Sequence, residues 1–164
     1  MSGSEIEVRR AVPADAARLA RLRYEFRAAL DPAAESEEQF AARCAEWMRE
    51  RLAAGDPWHC WIAERQGEIV ATIWVQVFDK LPNPVAERER HAYITSLYVR
   101  PELRDAGIGS ALLDQAIAAC EARAVDAVLL WPTRRSRTLY ERHGFVVGTD
   151  LLERRLAPVQ GRDQ

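Results

Sequence analysis

The chain has 164 residues, 48% hydrophobic and 29% charged, enough for one domain with a sizeable core. Its 23 Lys and Arg against 25 Asp and Glu give a net charge of −2, which excludes the global basic field of a nucleic-acid binder. Three widely spaced cysteines, Cys44, Cys60 and Cys120, fit neither a disulfide framework nor a zinc site, so no metal is expected. The first residues lack the apolar core of a signal peptide, and no long uncharged apolar run offers a membrane span. The expected location is therefore the cytoplasm.

Residues 5–10 alternate polar and apolar side chains and predict a short strand. Asp15 follows Pro13 as an N-cap for a helix over 16–30, where Leu19, Leu22, Phe26 and Leu30 recur at helical spacing. Asp31-Pro32 breaks it. Ser36 caps a second helix whose stripe of Phe40, Cys44, Trp47, Met48 and Leu52 predicts a core-facing side. After Gly55-Asp56-Pro57, segments 58–64 and 69–78 read as strands joined by a hairpin at Arg65-Gln66-Gly67-Glu68. Segment 79–91 contains Leu81-Pro82-Asn83-Pro84 and predicts a long loop, a feature that often serves function.

A strand is expected at 92–99 and a helix at 110–123, with Leu112, Leu113, Ala116, Ile117 and Cys120 on one side. Residues 127–131 form a short buried strand stopped by Pro132, and a helix over 136–142 ends at Gly144 as a left-handed C-cap. Segments 145–147 and 151–156 predict a closing hairpin around Gly148, and 158–164 a frayed tail. The order β-α-α-β-β-β-α-β-α-β-β predicts a three-layer α/β fold in one domain over 1–164, with its core at 5–157. A right-handed parallel crossover joins Val99 to Val128.

Between the strand and the helix stands Arg104-Asp105-Ala106-Gly107-Ile108-Gly109. A Gly turn here leaves main-chain N–H groups at a helix N-terminus, where the dipole favours an anion. Gly107 and Gly109 carry no Cβ to obstruct a bulky phosphate. An ordinary strand–turn–helix connection has the same pattern. The chain has no Gly-x-Gly-x-x-Gly fingerprint and no Gly-Lys-Ser/Thr loop, which argues against a nucleotide-binding domain.

Two segments together resemble the GNAT superfamily of N-acetyltransferases. One runs from Tyr93-Ile94-Thr95-Ser96-Leu97-Tyr98-Val99 through Arg104-Asp105-Ala106-Gly107-Ile108-Gly109 to Ser110-Ala111-Leu112-Leu113, like the family's strand, Arg/Gln-x-x-Gly-x-Gly/Ala turn and helix. The other, Ser136-Arg137-Thr138-Leu139-Tyr140-Glu141-Arg142-His143-Gly144-Phe145, is similar to its later Tyr…Gly-Phe segment. The resemblance implies a mixed sheet of about six to seven strands with a splayed parallel pair, flanked by about four helices.

It further implies acetyl-CoA as co-substrate and a primary amine of a small molecule or peptide as acceptor, joined by direct attack in a ternary complex. A bulged strand would offer the main chain of Leu97, Tyr98 and Val99 to the pantetheine arm. The N–H groups of Asp105, Ala106, Gly107, Ile108, Gly109 and Ser110 would hold the pyrophosphate, with Arg104 as a nearby cation. Ser136 would contact the arm or cap its helix. Tyr140 takes the place of the family's general acid, whereas His143 is read as a surface residue at a helix end.

Many relatives carry a carboxylate on the strand; this chain has none from Ala92 to Val99. The base is then a water held by Thr95, Ser96 or Tyr93, or else Glu64, Asp79 or His91 reaching in. The acceptor would lie against 30–38 and 79–91, where Glu35, Glu37, Glu38 and Asp79 could attract a cationic amine. Trp58, Trp61, Trp74 and Trp131 are expected mostly to fill core, with some lining an acceptor pocket. The alternative activity is a non-catalytic acyl-CoA sensor. A homodimer is compatible with the resemblance, although no interface is legible.

Overall fold

Strand β1 (Glu7–Arg10) leads into helices α1 (Ala16–Ala28) and α2 (Glu37–Ala54) in the computed structural model, which describes residues 5–148 and 150–156. There follow β2 (Trp58–Arg65), β3 (Glu68–Asp79), β4 (Arg90–Val99), α3 (Ile108–Ala122), β5 (Ala127–Leu129) and α4 (Arg137–Arg142). The described chain divides into two compact units, the first ending at Leu130 and the second beginning at Trp131. No helix among the described residues is long and apolar enough to cross a membrane.

In the first unit the sheet order is β1-β2-β3-β4-β5, antiparallel except for the parallel β4–β5 pair. β3 is buried without a break from Ile69 to Val75 because both sheet faces are covered. Helices α1 and α2 pack together over Cys60, Ile62, Trp74 and Tyr98, using Leu19, Leu22 and Met48. α3 lies against β2, β3 and β4 with Leu112, Leu113 and Ala116 buried. Strand alternation sends Trp61, Ile73 and Val75 to that opposite face.

Local chemistry sets several boundaries. Ser36 Oγ accepts the Gln39 N–H at 3.3 Å while Gln39 Oε1 accepts the Ser36 N–H at 3.4 Å, a capping box that starts α2. The β2–β3 turn uses Gln66 and Gly67 at φ +53° and +79°, the paired left-handed residues of a tight hairpin. Gly144 follows α4 at φ +82°, the left-handed position expected of it.

Five expectations are corrected. α1 stops at Ala28 rather than Leu30, and the 79–91 loop shrinks to 80–89 because β3 and β4 extend into it. Asp15 does not cap α1. Its carboxylate instead accepts the Val12 N–H at 2.8 Å and binds Arg9 and Arg18, at the end of the short 3-10 turn Pro13–Asp15. β5 ends at Leu129 rather than Trp131, before Pro132. The sheet has five strands among the described residues, not six to seven, because 145–148 and 151–156 form no hairpin. Val146, Val147, Leu152 and Leu156 are each at least 76% exposed, so their alternating pattern finds no surface to bury against. The tail expected at 158–164 lies outside the described residues.

Candidate active site

The site in the first unit is built on an irregularity of β4. Thr72 faces Tyr98 and Trp74 faces Thr95, so Ser96 and Leu97 oppose Ile73 alone. This bulge holds Ser96 at φ +56°. Pairing with β5 reaches only Tyr93↔Leu129, so residues 94–99 run past the last β5 partner. The expected splayed parallel pair is therefore present, and the main chain of Leu97, Tyr98 and Val99 lies in the splayed stretch.

The turn after β4 has Asp105 at φ +63° and Gly107 at φ +81°. Gly107 O accepts the Ala111 N–H at 3.0 Å, so helix geometry leaves the N–H groups of Ile108, Gly109 and Ser110 without intrahelical acceptors. Nothing lies within 4 Å of a Cβ built on Gly107. Gly107→Ala is therefore expected to cost about 1 kcal/mol through left-handed strain rather than a clash, measurable by urea denaturation. Arg104 turns back towards the strand: its Nε donates to Val99 O at 3.0 Å and its guanidinium lies 5.9 Å from the Tyr98 ring centroid.

Beside the bulge, on the face covered by α1 and α2, is a cavity of about 300 Å³. α1 contributes Leu19, Leu22, Arg23 and Phe26, and α2 contributes Cys44, Trp47 and Met48. The sheet adds Trp58, Thr72, Trp74, Tyr93, Thr95, Ser96 and Tyr98. Trp47, Trp58 and Trp74 form an edge-to-face and tilted cluster with centroids 5.2–6.3 Å apart.

Arg23 Nη1 donates to Ser96 Oγ at 2.9 Å, and the guanidinium lies 5.6 Å from the Phe26 centroid. Burial lowers its pKa from the usual guanidinium value, yet arginine stays protonated in proteins. Tyr98 donates its hydroxyl to Glu25 Oε1 at 3.0 Å, and burial beside that carboxylate pushes its pKa up to about 12. Burial also raises the Cys44 thiol above its ordinary value, so it remains neutral.

Thr95, Ser96 and Tyr93 all line this cavity, whereas Glu64, Asp79 and His91 do not. Glu64 bridges Arg9 and Arg18, whose hydrogen bonds hold its pKa below the usual carboxylate range. Asp79 pairs with Arg90 at 3.3 Å, and His91 lies 3.6 Å from Asp126. Glu35 borders a separate hollow of about 180 Å³ and is engaged by Arg43. Trp58 and Trp74 line the larger cavity; Trp61 is buried core.

In the second unit, Tyr140 is 8% exposed, with its ring 5.6 Å from that of Phe145 at an angle of 68°. The Ser136 hydroxyl neither caps α4 nor points away from its own loop. It accepts the Thr133 N–H at 2.9 Å and donates to Thr133 O at 3.2 Å. His143 Nδ1 donates to Leu139 O at 2.8 Å. Trp131 is 48% exposed and donates to Glu153.

Sequence reasoning missed Arg23 and treated Trp47 only as core. A signal was present. Arg23 lies four residues after Leu19 and beside Leu22, on the apolar face of α1, where an isolated charge is out of place.

Comparison with known proteins gives a consistent picture. The model of the Acetyltransferase (GNAT) family matches residues 20–145, running through both units. No curated protein sequence matches the chain. A GCN5-related N-acetyltransferase from Ralstonia eutropha is 26% identical, with 93% of this chain and 100% of that one covered at a TM-score of 0.68. A predicted acetyltransferase from Clostridium acetobutylicum, solved with acetyl-CoA, shares the fold at 24% identity, 93% and 97% coverage and a TM-score of 0.74. Glucosamine-6-phosphate N-acetyltransferase from Arabidopsis thaliana shares it at 17% identity, 93% and 99% coverage and a TM-score of 0.70. With its splayed β4–β5 pair, its glycine turn and a family match over most of its length, the chain belongs to the GNAT family of acetyltransferases.

Proposed function

We propose that the protein transfers the acetyl group of acetyl-CoA to a primary amine by direct attack in a ternary complex. The observation that carries this reading is the β4 bulge at Ser96 and Leu97, placed between an aromatic cavity and the glycine turn that opens α3. The splayed main chain of Leu97, Tyr98 and Val99 pairs with the pantetheine arm as an added strand would. The N–H groups from Asp105 to Ser110, passing Ala106, Gly107, Ile108 and Gly109, hold the pyrophosphate at the positive end of α3. Arg104 steadies this turn through Val99 O.

An acceptor ammonium gives one proton to a water held by Thr95 or Ser96. The free amine attacks the thioester carbonyl, forming the C–N bond. As the tetrahedral adduct collapses, the C–S bond breaks, the nitrogen loses its second proton to that water, which has by then passed the first to solvent, and Tyr140 protonates the departing thiolate. Solvent then reprotonates Tyr140, so one proton is released overall.

The test is direct. Purified protein with acetyl-CoA and a panel of amines should release free thiol and yield an acceptor heavier by one acetyl group. Tight acetyl-CoA binding without thiol release across amines, peptides and antibiotics would instead assign a sensor, the reading favoured by the absence of a carboxylate on the cavity wall.

A further inference from the structure

The cavity's chemistry points away from a cationic acceptor drawn in by acidic loop residues. Its wall carries one full charge, the Arg23 guanidinium, and no carboxylate. None of Glu35, Glu37, Glu38 and Asp79, which the sequence offers as attractors, lines this cavity, and Glu35 and Asp79 are already engaged by Arg43 and Arg90. Arg23 itself has no ion-pair partner among the described residues; its hydrogen bond goes to the neutral Ser96 hydroxyl. A desolvated guanidinium without a counter-ion is costly, and its forked donors suit a planar carboxylate.

The surrounding wall is of a different kind. Phe26, Trp47, Trp58 and Trp74 present aromatic faces and edges, suited to a rigid apolar body. The 2.9 Å bond from Arg23 to Ser96 also ties the cation to the bulge itself. An α-amino acid held by its carboxylate at Arg23 therefore keeps its α-amine close to the bulge at Ser96.

Resting on the acetyl transfer proposed above, we infer that the acceptor is an apolar α-amino acid. Its carboxylate pairs with Arg23, its side chain lies among Trp47, Trp58, Trp74 and Phe26, and its α-amine sits at the bulge. The cavity is at the small end of ligand pockets, which matches a single amino acid. A polyamine would bring positive charge against Arg23 with no carboxylate to receive it. A phosphosugar would lay most of its hydroxyls against aromatic rings that offer indole N–H donors but no acceptors.

The experiment compares L-phenylalanine, L-tryptophan and L-methionine with their own carboxamides, and with spermidine, as acceptors. At least one amino acid should exceed its carboxamide in kcat/KM by about tenfold or more, the worth of one charge-assisted contact. In Arg23→Gln that ratio should fall to near one through a rise in KM, and Arg23→Lys should restore part of it. Preference for spermidine or the carboxamides, or equal loss for all acceptors in Arg23→Gln, would overturn the inference. An independent titration follows tryptophan fluorescence, because three indoles line the cavity. Amino-acid binding that is lost in Arg23→Gln supports the assignment even if no acetyl transfer occurs, and absence of binding overturns it. Acetyl-CoA binding without any thiol release would instead count against the transfer reaction.

Discussion

Tyr140→Phe is expected to lower kcat by about 10²-fold or more, the usual worth of a positioned general acid, while acetyl-CoA affinity stays within about twofold. The substitution removes one oxygen and keeps the ring, which is buried against Phe145. The proposed transition state explains why the loss falls on kcat. Negative charge reaches the sulfur only as the C–S bond breaks, so the phenol proton matters there and not in the bound donor. Turnover should be measured at saturating amine and binding by calorimetry. Unchanged kcat would remove Tyr140 from its role, whereas parallel loss of kcat and donor affinity would mean a packing residue.

Asp15→Ala is expected to destabilise the fold by about 3 kcal/mol, because it leaves two guanidinium groups short of a buried carboxylate. Asp15 is 1% exposed, and its oxygens meet Arg9 at 2.8 and 2.9 Å and Arg18 at 2.6 Å. Both arginines also bind Glu64, at 2.6 and 2.7 Å, which closes a ring of four charges fastening β1 and α1 to β2. The Val12 N–H loses its acceptor too. For a domain of this size the midpoint should fall by about 6–12 °C, read by thermal or urea unfolding. Asp15→Asn, which keeps an oxygen for Val12, should cost less.

The same carboxylate fixes an acid dependence. Hydrogen bonds from Arg9, with help from Val12 and Arg18, lower its pKa from 3.8 to about 2, so the unfolded chain takes up the proton first as pH falls. Its contribution, about 2 kcal/mol, is complete above the unfolded value and is lost as pH drops through the folded one. Wild-type stability should therefore fall more steeply than that of Asp15→Ala between about pH 4 and pH 2. Equal slopes would remove Asp15 from this role.

Much of the frame was legible along the chain because its signals are local. The spacing of Leu19, Leu22 and Phe26, the Ser36 cap, the Gln66-Gly67 turn and the Gly107 turn each act within a few residues. The 145–156 segment shows where such signals stop. Alternation makes a strand only where another edge and an apolar face receive it, and Val146, Val147, Leu152 and Leu156 remain exposed. Asp15 carries the same lesson in electrostatics. Its N-cap spacing is local, but Arg9 and Arg18 together outcompete that position with two charge-assisted partners.

By itself the sequence determined the family and the glycine turn that opens α3, since a glycine turn, a strand and a helix in fixed order are properties of neighbouring residues. It also showed that β4 lacks a carboxylate. Only the tertiary structure assembled the cavity beside the β4 bulge. The cavity joins Arg23 of α1, Trp47 of α2, Trp58 and Trp74 of the sheet and the bulge at Ser96, which are far apart in sequence. Its single positive charge follows from which ion pairs close elsewhere, and that is set by distance in space.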